Sequence, residues 1–381
     1  MIETVGKTVG EGLELLSKVG LNDAFLFLRT YDQLSDGQKY RYRIAKPIES
    51  GKQWWLMDEF APTLDRDTAK IVAFNLQKLA RQQGRAVIAA TTHTDLQGDL
   101  NPSVHVHKRF GEEISIKYYP SFRNSPCSLV QEMQVKPGTL SDWKKLGGFH
   151  YRSHSVGAVR RIFCLWRGPE LCGVIVYAYP GLRCARRKLV LHGTDIKKLN
   201  RELSTIQRVV VHPKYRTIGL GAKLIRDTLA LAGTRCVEMS AVMGKYNPFA
   251  ERAGMIKVYE QLPDPKAVRV SEALELLGFN LQFLGSQNYV LGKLGTLSPE
   301  LLSELKNVFY NENHPRFLRE IATDSSRPYG TKKEYARLLE KADNEKIAKL
   351  IKITGILLQT KAYLFWGNVK MASVKVALPR S

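Results

Sequence analysis

The hydrophobic pattern lays this chain out as short β-branched runs, polar punctuation and amphipathic helical stretches. Gln53-Trp54-Trp55-Leu56-Met57 predicts a strand that ends on Asp58-Glu59, and Arg85 to His93 predicts another, with Asp67 to Gln82 at helical spacing between them. Arg161–Trp166 and Leu171–Tyr177 flank Arg167-Gly168-Pro169-Glu170, which reads as a hairpin. Ile206–Val211 predicts a buried strand, His212-Pro213 ends it, and Ala222–Leu229 returns to a helical period. Cys236–Val242 predicts the next strand and Phe149–Arg152 a short one. Leu297–Tyr310 and Glu334–Lys349 predict helices, and the more apolar stretch Ile351–Trp366 is expected to pack on the core. Residues 120–148 hold Pro120, Pro126, Pro137, Gly138, Gly147 and Gly148 and read as a linker.

Between the strand at 206–211 and the helix lies Arg216-Thr217-Ile218-Gly219-Leu220-Gly221. Glycines at 219 and 221 let bare backbone amides approach an anion, and a helix N-terminus adds partial positive charge. A Walker loop would need Gly-Lys-Ser/Thr here, and a dinucleotide fold Gly-x-Gly-x-x-Gly; neither is present. Strand, Arg-x-x-Gly-x-Gly, then helix resembles the acyl-CoA motif of the GNAT N-acyltransferases. The resemblance implies that the backbone at Val209 and Val211 bonds the pantetheine amides. It implies that amides from Thr217 through Ile218, Gly219, Leu220, Gly221 and Ala222 hold the pyrophosphate, with Arg216 adding a charge-assisted contact. In the family the following strand splays from its neighbour, and Asn247–Met255 resembles the short helix and glycine turn that close the motif.

One departure concerns the acid that protonates the leaving thiolate. Many GNAT enzymes place a tyrosine where this chain has Ala250, so Tyr246 is the substitute candidate, against a packing aromatic at a strand end. Glu202 and His150 are candidates for the base that deprotonates an amine acceptor. Glu238 alternates along a strand and fits either face.

The first hundred residues carry a second signal. Leu34-Ser35-Asp36-Gly37-Gln38, the strand ending in Asp58-Glu59, Pro62-Thr63-Leu64-Asp65 and His93 follow in order. They resemble the signature, Walker B, D-loop and switch histidine of an ABC-type ATPase. That resemblance implies Mg²⁺ ligation by Asp58, catalytic roles for Glu59 and His93, and contact of Ser35, Gly37 and Gln38 with ATP held in trans. Gly6-Lys7-Thr8 imitates a Walker A lysine loop, yet its first glycine would fall on Met1 and too few residues separate it from Ser35. It reads as a coincidence. The chain is therefore expected to bear a C-terminal half of an ATPase that hydrolyses nothing alone, whether as a truncated or split product or as a half acting in trans.

The expected architecture is α/β. A partial ABC-type ATPase occupies 1–119, a linker 120–148 and a GNAT fold of mixed central sheet and flanking helices 149–265. A helical, basic extension fills 266–381, whose last acid is Glu345.

At 381 residues and 44% hydrophobic content, the chain can bury two or three cores. No apolar run reaches the roughly 18–20 residues of a membrane span, and no secretory pattern follows Met1; a cytoplasmic protein with no membrane partner is expected. Five scattered cysteines without a Cys-x-x-Cys pair suggest reduced thiols. The net charge of +22 is uneven: residues 101–250 hold 25 Lys/Arg against 9 Asp/Glu. One CoA does not need that many cations, so a nucleic-acid partner stands beside a merely basic, soluble surface. Arg183, Arg186, Arg187 and Lys188 are the cluster expected to test it.

The resemblance to an ABC ATPase–acetyltransferase fusion implies an acyl-CoA-dependent N-acyltransferase with acetyl-CoA as donor. The expected acceptor is an amine on a nucleic-acid base or a protein; phage adenine-modifying transferases carry a His-Tyr pair comparable to His150-Tyr151. ATP and Mg²⁺ enter only if a head-to-tail copy or another Walker A-bearing chain supplies the phosphate loop. The other class open is a nucleotide-dependent nucleic-acid-binding or assembly factor whose GNAT fold binds CoA without turnover.

Overall fold

A computed structural model describes residues 4–21, 26, 29–120, 125–150, 156–182, 184, 186–191, 195–242, 247–322 and 331–367. Two compact units result. One takes in the residues up to Met239 together with Phe249–Ile256, so the ATPase-type and acyltransferase-type segments share it; the other takes in Lys257–Leu364.

The ATPase-type segment opens with α1 (Val9–Lys18), α2 (Asp36–Glu49) and α3 (Arg66–Gln82) around a parallel pair, β1 (Trp54–Met57) and β2 (Ala86–Ala89). Their starts are capped by sequence. Ser35 and Gln38 form a reciprocal capping box on α2, and Asp65 accepts from the Thr68 amide at 3.1 Å on α3. Period-2 alternation turns Trp55 inward with Phe60, Val72 and Leu76 and leaves Trp54 and Leu56 exposed. Ile88 on β2 is exposed too, so this small sheet carries one uncovered apolar face among the described residues. Gly6-Lys7-Thr8, the imitation of a lysine loop, leads into α1 with Thr8 as its N-cap. Thr8 accepts from the Glu11 amide, while the Gly6 and Lys7 amides donate to Glu49 and Glu11 carboxylates at 2.6 and 2.8 Å. Those amides are the groups a phosphate loop would need. A hairpin, β3 (Val104–Lys108) with β4 (Ile114–Tyr118), follows.

The proposed linker is largely structured. Gln134–Pro137 forms β5, antiparallel to β6 (Val159–Arg167), and Leu140–Gly147 forms α4, capped by Thr139 and Asp142. Trp143 and Leu146 of α4 are buried against Ile162, Val174 and Val210. The prolines and glycines of 120–148 therefore mark the ends of short elements, not a free tether. Phe149 and His150 are a turn after α4, with amides bonded to Leu146 and Gly147, rather than a strand; Tyr151 and Arg152 lie outside the described residues.

Strand β7 (Glu170–Ala178) completes the expected hairpin with β6 and pairs antiparallel with β8 (Leu203–Val211), which follows α5 (Ile196–Glu202). Then come α6 (Leu220–Thr228) and β9 (Cys236–Ala241), parallel to β8, giving the order β9-β8-β7-β6-β5. Glu238 faces inward. It is 2% exposed, bonded to Arg187 at 2.6 and 2.9 Å and to Thr205 at 2.7 Å.

In the second unit, α7 (Pro265–Leu276), α8 (Gln287–Gly295), α9 (Pro299–Glu312), α10 (Pro315–Ile321), α11 (Lys332–Glu340) and α12 (Asn344–Leu357) enclose a core containing Leu305, Phe309, Phe317, Tyr335 and Ile351. The single helix expected over 334–349 is two, because Asp343 accepts from the Lys346 amide and starts α12. Nor is the extension wholly helical: β11 (Lys361–Gly367) lies beside β10 (Ile256–Gln261). Of the expected basic tail, Lys361 opens β11, while Lys370, Lys375 and Arg380 lie outside the described residues. Among the described residues no helix is long and apolar enough to cross a membrane.

Removing one partner of the buried Arg187–Glu238 pair strands the other charge, at a cost of about 3 kcal/mol or more. Arg187→Met should lower the urea-unfolding free energy by that amount, and Arg187→Met/Glu238→Gln should recover most of it. Equal stability of wild type and Arg187→Met contradicts the pair.

Candidate functional site

The parallel ladder between β8 and β9 runs from Leu203↔Cys236 to Ile206↔Met239 and ends there, while β8 continues to Val211 against β7. The two parallel strands thus part over the half of β8 that leads into the glycine loop. Gly219 is the N-cap of α6 at φ +89°, and a Cβ added there would meet nothing within 4 Å. Its requirement is conformation, not space. A glycine cap supplies no side-chain acceptor, so the amides of Leu220, Gly221 and Ala222 begin the helix without one. They form a cradle for an anion. Ile218 is buried beneath this turn, and Gly221 faces the Phe249 ring, 3.4 Å from where its Cβ would be.

Thr217 occupies the left-handed region at φ +78°, which costs a non-glycine residue roughly 1–2 kcal/mol. Its hydroxyl donates to the Arg216 carbonyl and accepts from Asn75 Nδ2 at 2.6 Å. Two neutral hydrogen bonds worth about 1 kcal/mol each offset that strain. Arg216 bends back: Nε donates to the Val211 carbonyl at 3.3 Å and Nη2 to the Phe149 carbonyl at 3.4 Å.

A second network meets the loop from α3. Asp67 Oδ2 accepts from Lys214 Nζ and Arg167 Nη1, both at 2.7 Å, and lies 3.3 Å from the Tyr215 hydroxyl. Arg167 also donates to Glu132 at 2.6 Å, and Tyr215, fully buried, donates to Glu170 at 2.5 Å. Burial alone would raise the Asp67 carboxyl, but hydrogen bonds and charge from Lys214 and Arg167 outweigh it and hold it below the usual range. Burial and the Glu170 bond push the Tyr215 phenol up to about 12, so it stays protonated. Burial lowers His212, whose Nδ1 accepts from the Lys214 amide; at neutral pH it is uncharged.

The residues expected to catalyse acyl transfer are not brought together. Glu202 ends α5 at the start of β8, the whole length of that strand, about 30 Å by its rise, from the glycine loop. His150 lies at the loop end, next to the carbonyl that Arg216 grips. Tyr246 lies outside the described residues, and Ala250 is buried. Arg187, named with Arg186 and Lys188 as a phosphate-binding candidate, is committed to Glu238, while Arg183 is outside the described residues.

The ATPase-type motifs do converge. Parallel pairing of β1 and β2 sets Asp58-Glu59 and His93 at the same, C-terminal, end of the pair. Asp58 and Glu59 are exposed, Glu59 at φ +48°. His93 Nε2 is buried with no hydrogen-bond partner among the described residues. Ser35 caps α2, with Gly37 and Gln38 in its first turn. Among the described residues no cluster of three or more His, Cys, Asp or Glu suits a metal.

No family model matches the chain. Part of it is similar to ATP-binding proteins of ABC-type systems. It is 38% identical over 84 residues to the methionine import ATP-binding protein MetN 2 of Rhodococcus jostii, covering 22% of this chain and 24% of that one. With MetN of Streptomyces coelicolor it shares 37% over 100 residues, 25% and 28% of the two chains. With the cytochrome c biogenesis ATP-binding export protein CcmA of Paracoccus denitrificans it shares 37% over 91 residues, 24% and 40%. The matched segments span less than half the length of each relative. A Bacillus subtilis acetyltransferase solved with CoA aligns over 34% of this chain and 81% of that one, at 15% identity and a TM-score of 0.26.

Because Asp67 is depressed, it contributes stability that is complete above the unfolded carboxyl pKa and is lost as pH falls through its lower folded value. The acid limb of the unfolding free energy below about pH 4 should flatten in Asp67→Asn. An unchanged limb removes Asp67 from the network.

Proposed function

We propose that this chain is an N-acyltransferase that draws its acyl group from acyl-CoA, acetyl-CoA being the natural donor. The observation that carries the reading is the parting of β8 from β9 above an uncapped helix start held by Gly219 at φ +89°. An extended amide-bearing arm fits beside the β8 backbone at Val209 and Val211. A pyrophosphate fits the amides from Thr217 to Ala222 with the Arg216 charge beside them. The Val211 carbonyl already accepts from Arg216, which leaves it one lone pair for such an arm. Bound acyl-CoA supplies the thioester. The chain's part is to hold it in line and to leave the acyl end along the strand, away from the charged loop. The acceptor is proposed to be an amine; the excess of cations over residues 101–250 favours one carried by a polyanion such as nucleic acid.

For the ATPase-type segment we propose a half-site. Ser35 and the amides of the α2 start, the Asp58 and Glu59 carboxylates and the unpaired His93 Nε2 are groups that suit a nucleoside triphosphate with Mg²⁺. The amides of Gly6 and Lys7 are spent on carboxylates, so the phosphate loop would come from a Walker A-bearing segment. The exposed Trp54, Leu56 and Ile88 form the apolar face such a segment would cover.

Calorimetry with acetyl-CoA tests the transferase reading. Wild type should bind, and Gly219→Val should lose at least tenfold in affinity with its circular dichroism kept, because a β-branched residue cannot hold φ near +89°. Equal binding by the two refutes this placement of the pyrophosphate. Turnover of ATP by this chain alone should be undetectable; hydrolysis abolished by Glu59→Gln refutes the half-site.

A further inference from the structure

Helix α3 belongs to the ATPase-type segment, yet its polar side chains are built into the loop assigned to the pyrophosphate. Asp67, Ile71 and Asn75 recur every fourth residue and share one stripe of the helix. Ile71 is fully buried between them, and Asn75 is 7% exposed. The lower end of the stripe holds Lys214, two residues before the loop arginine. Its upper end holds the Thr217 hydroxyl, at the loop residue whose backbone is left-handed without being glycine. From the signature helix α2, buried Arg41 donates to the Gly20 carbonyl at 3.3 Å, and a Cβ on Gly20 would stand 3.6 Å from Thr217. Thr217 is thus held from the ATPase-type side by Asn75, 142 residues away in sequence, with the Gly20 backbone close beside it.

We infer that Asn75 is a positioning residue for acyl-CoA, one that holds Thr217 left-handed so that the loop amides point at the pyrophosphate, and that donor affinity is thereby set from the ATPase-type helix. The inference rests on the acyl-CoA reading. It follows from conformation: φ near +78° turns the peptide after Thr217, and with it the Ile218 and Gly219 amides, in a direction that relaxed threonine would not choose. Asn75 touches no reacting atom; its effect passes through one hydroxyl. Asp67 fixes the stem of the same loop through Lys214.

The experiment is calorimetry of acetyl-CoA with the full chain, its Asn75→Ala variant and the double variant Asn75→Ala/Thr217→Gly, with thermal melts in parallel. Asn75→Ala should bind about tenfold more weakly. Glycine adopts positive φ without a tether, so the double variant should return to within about twofold of wild type. A merely structural role for Asn75 would not be rescued by removing the side chain it bonds. Unchanged affinity in Asn75→Ala overturns the inference and leaves the acyl-CoA reading standing. Weakened binding that Thr217→Gly does not restore overturns it as well, since Asn75 would then act through the helix packing. Failure of the wild type to bind overturns the acyl-CoA reading itself, and the inference with it.

Discussion

The Asp67 carboxylate, shared between Arg167 and Lys214, ties together segments that lie a hundred residues and more apart in sequence. Arg167 closes the β6–β7 turn, Lys214 follows β8, and Asp67 opens α3. Burial raises the pKa of this carboxyl, and two cations on one oxygen reverse the shift. The charge is thus kept, and with it the placement of α3 against the root of the glycine loop. The loop depends on that placement, because Thr217 holds an unfavourable backbone that Asn75 of the same helix secures.

This arrangement gives the two segments different states of completeness. The acyltransferase-type segment contains its own sheet, its parted strands and its helix start, so the groups proposed to hold an anion all lie within the described residues. Among the described residues, the ATPase-type segment gathers Asp58, Glu59 and His93 at one strand end but leaves one face of β1 and β2 uncovered and one imidazole nitrogen without a hydrogen-bond partner. Buried, unpaired polar atoms are rare in finished sites, which is why a further phosphate-bearing contribution is proposed there.

Much of this was legible in the sequence where the signal is local. Strand, Arg-x-x-Gly-x-Gly and helix are contiguous, so β8, the loop and α6 fall where the periodicity predicts them. Capping also reads locally, yet Asp343 splits a helix that charge patterning alone runs together. The linker reading of 120–148 failed because proline and glycine mark element ends as readily as tethers; Trp143 and Leu146 were the apolar signal for α4. The contacts that matter most to the loop were not legible. Asp67–Lys214 and Asn75–Thr217 join residues 147 and 142 positions apart, and no spacing rule reaches so far. Glu202 was legible only as a neighbour of the CoA strand, and the fold places it where α5 runs into that strand, at the end away from the glycine loop. Arg187 looked like one of a solvated run, and only the fold shows it neutralising Glu238.

Amide hydrogen exchange, followed by mass spectrometry with and without acetyl-CoA, tests the central claim most directly. A pyrophosphate seated in the loop would accept from the amides of Thr217 to Ala222, and these should slow markedly on addition of the ligand while the α9–α11 region stays unchanged. Exchange in that loop that is indifferent to acetyl-CoA, or protection confined to other elements, would contradict the account.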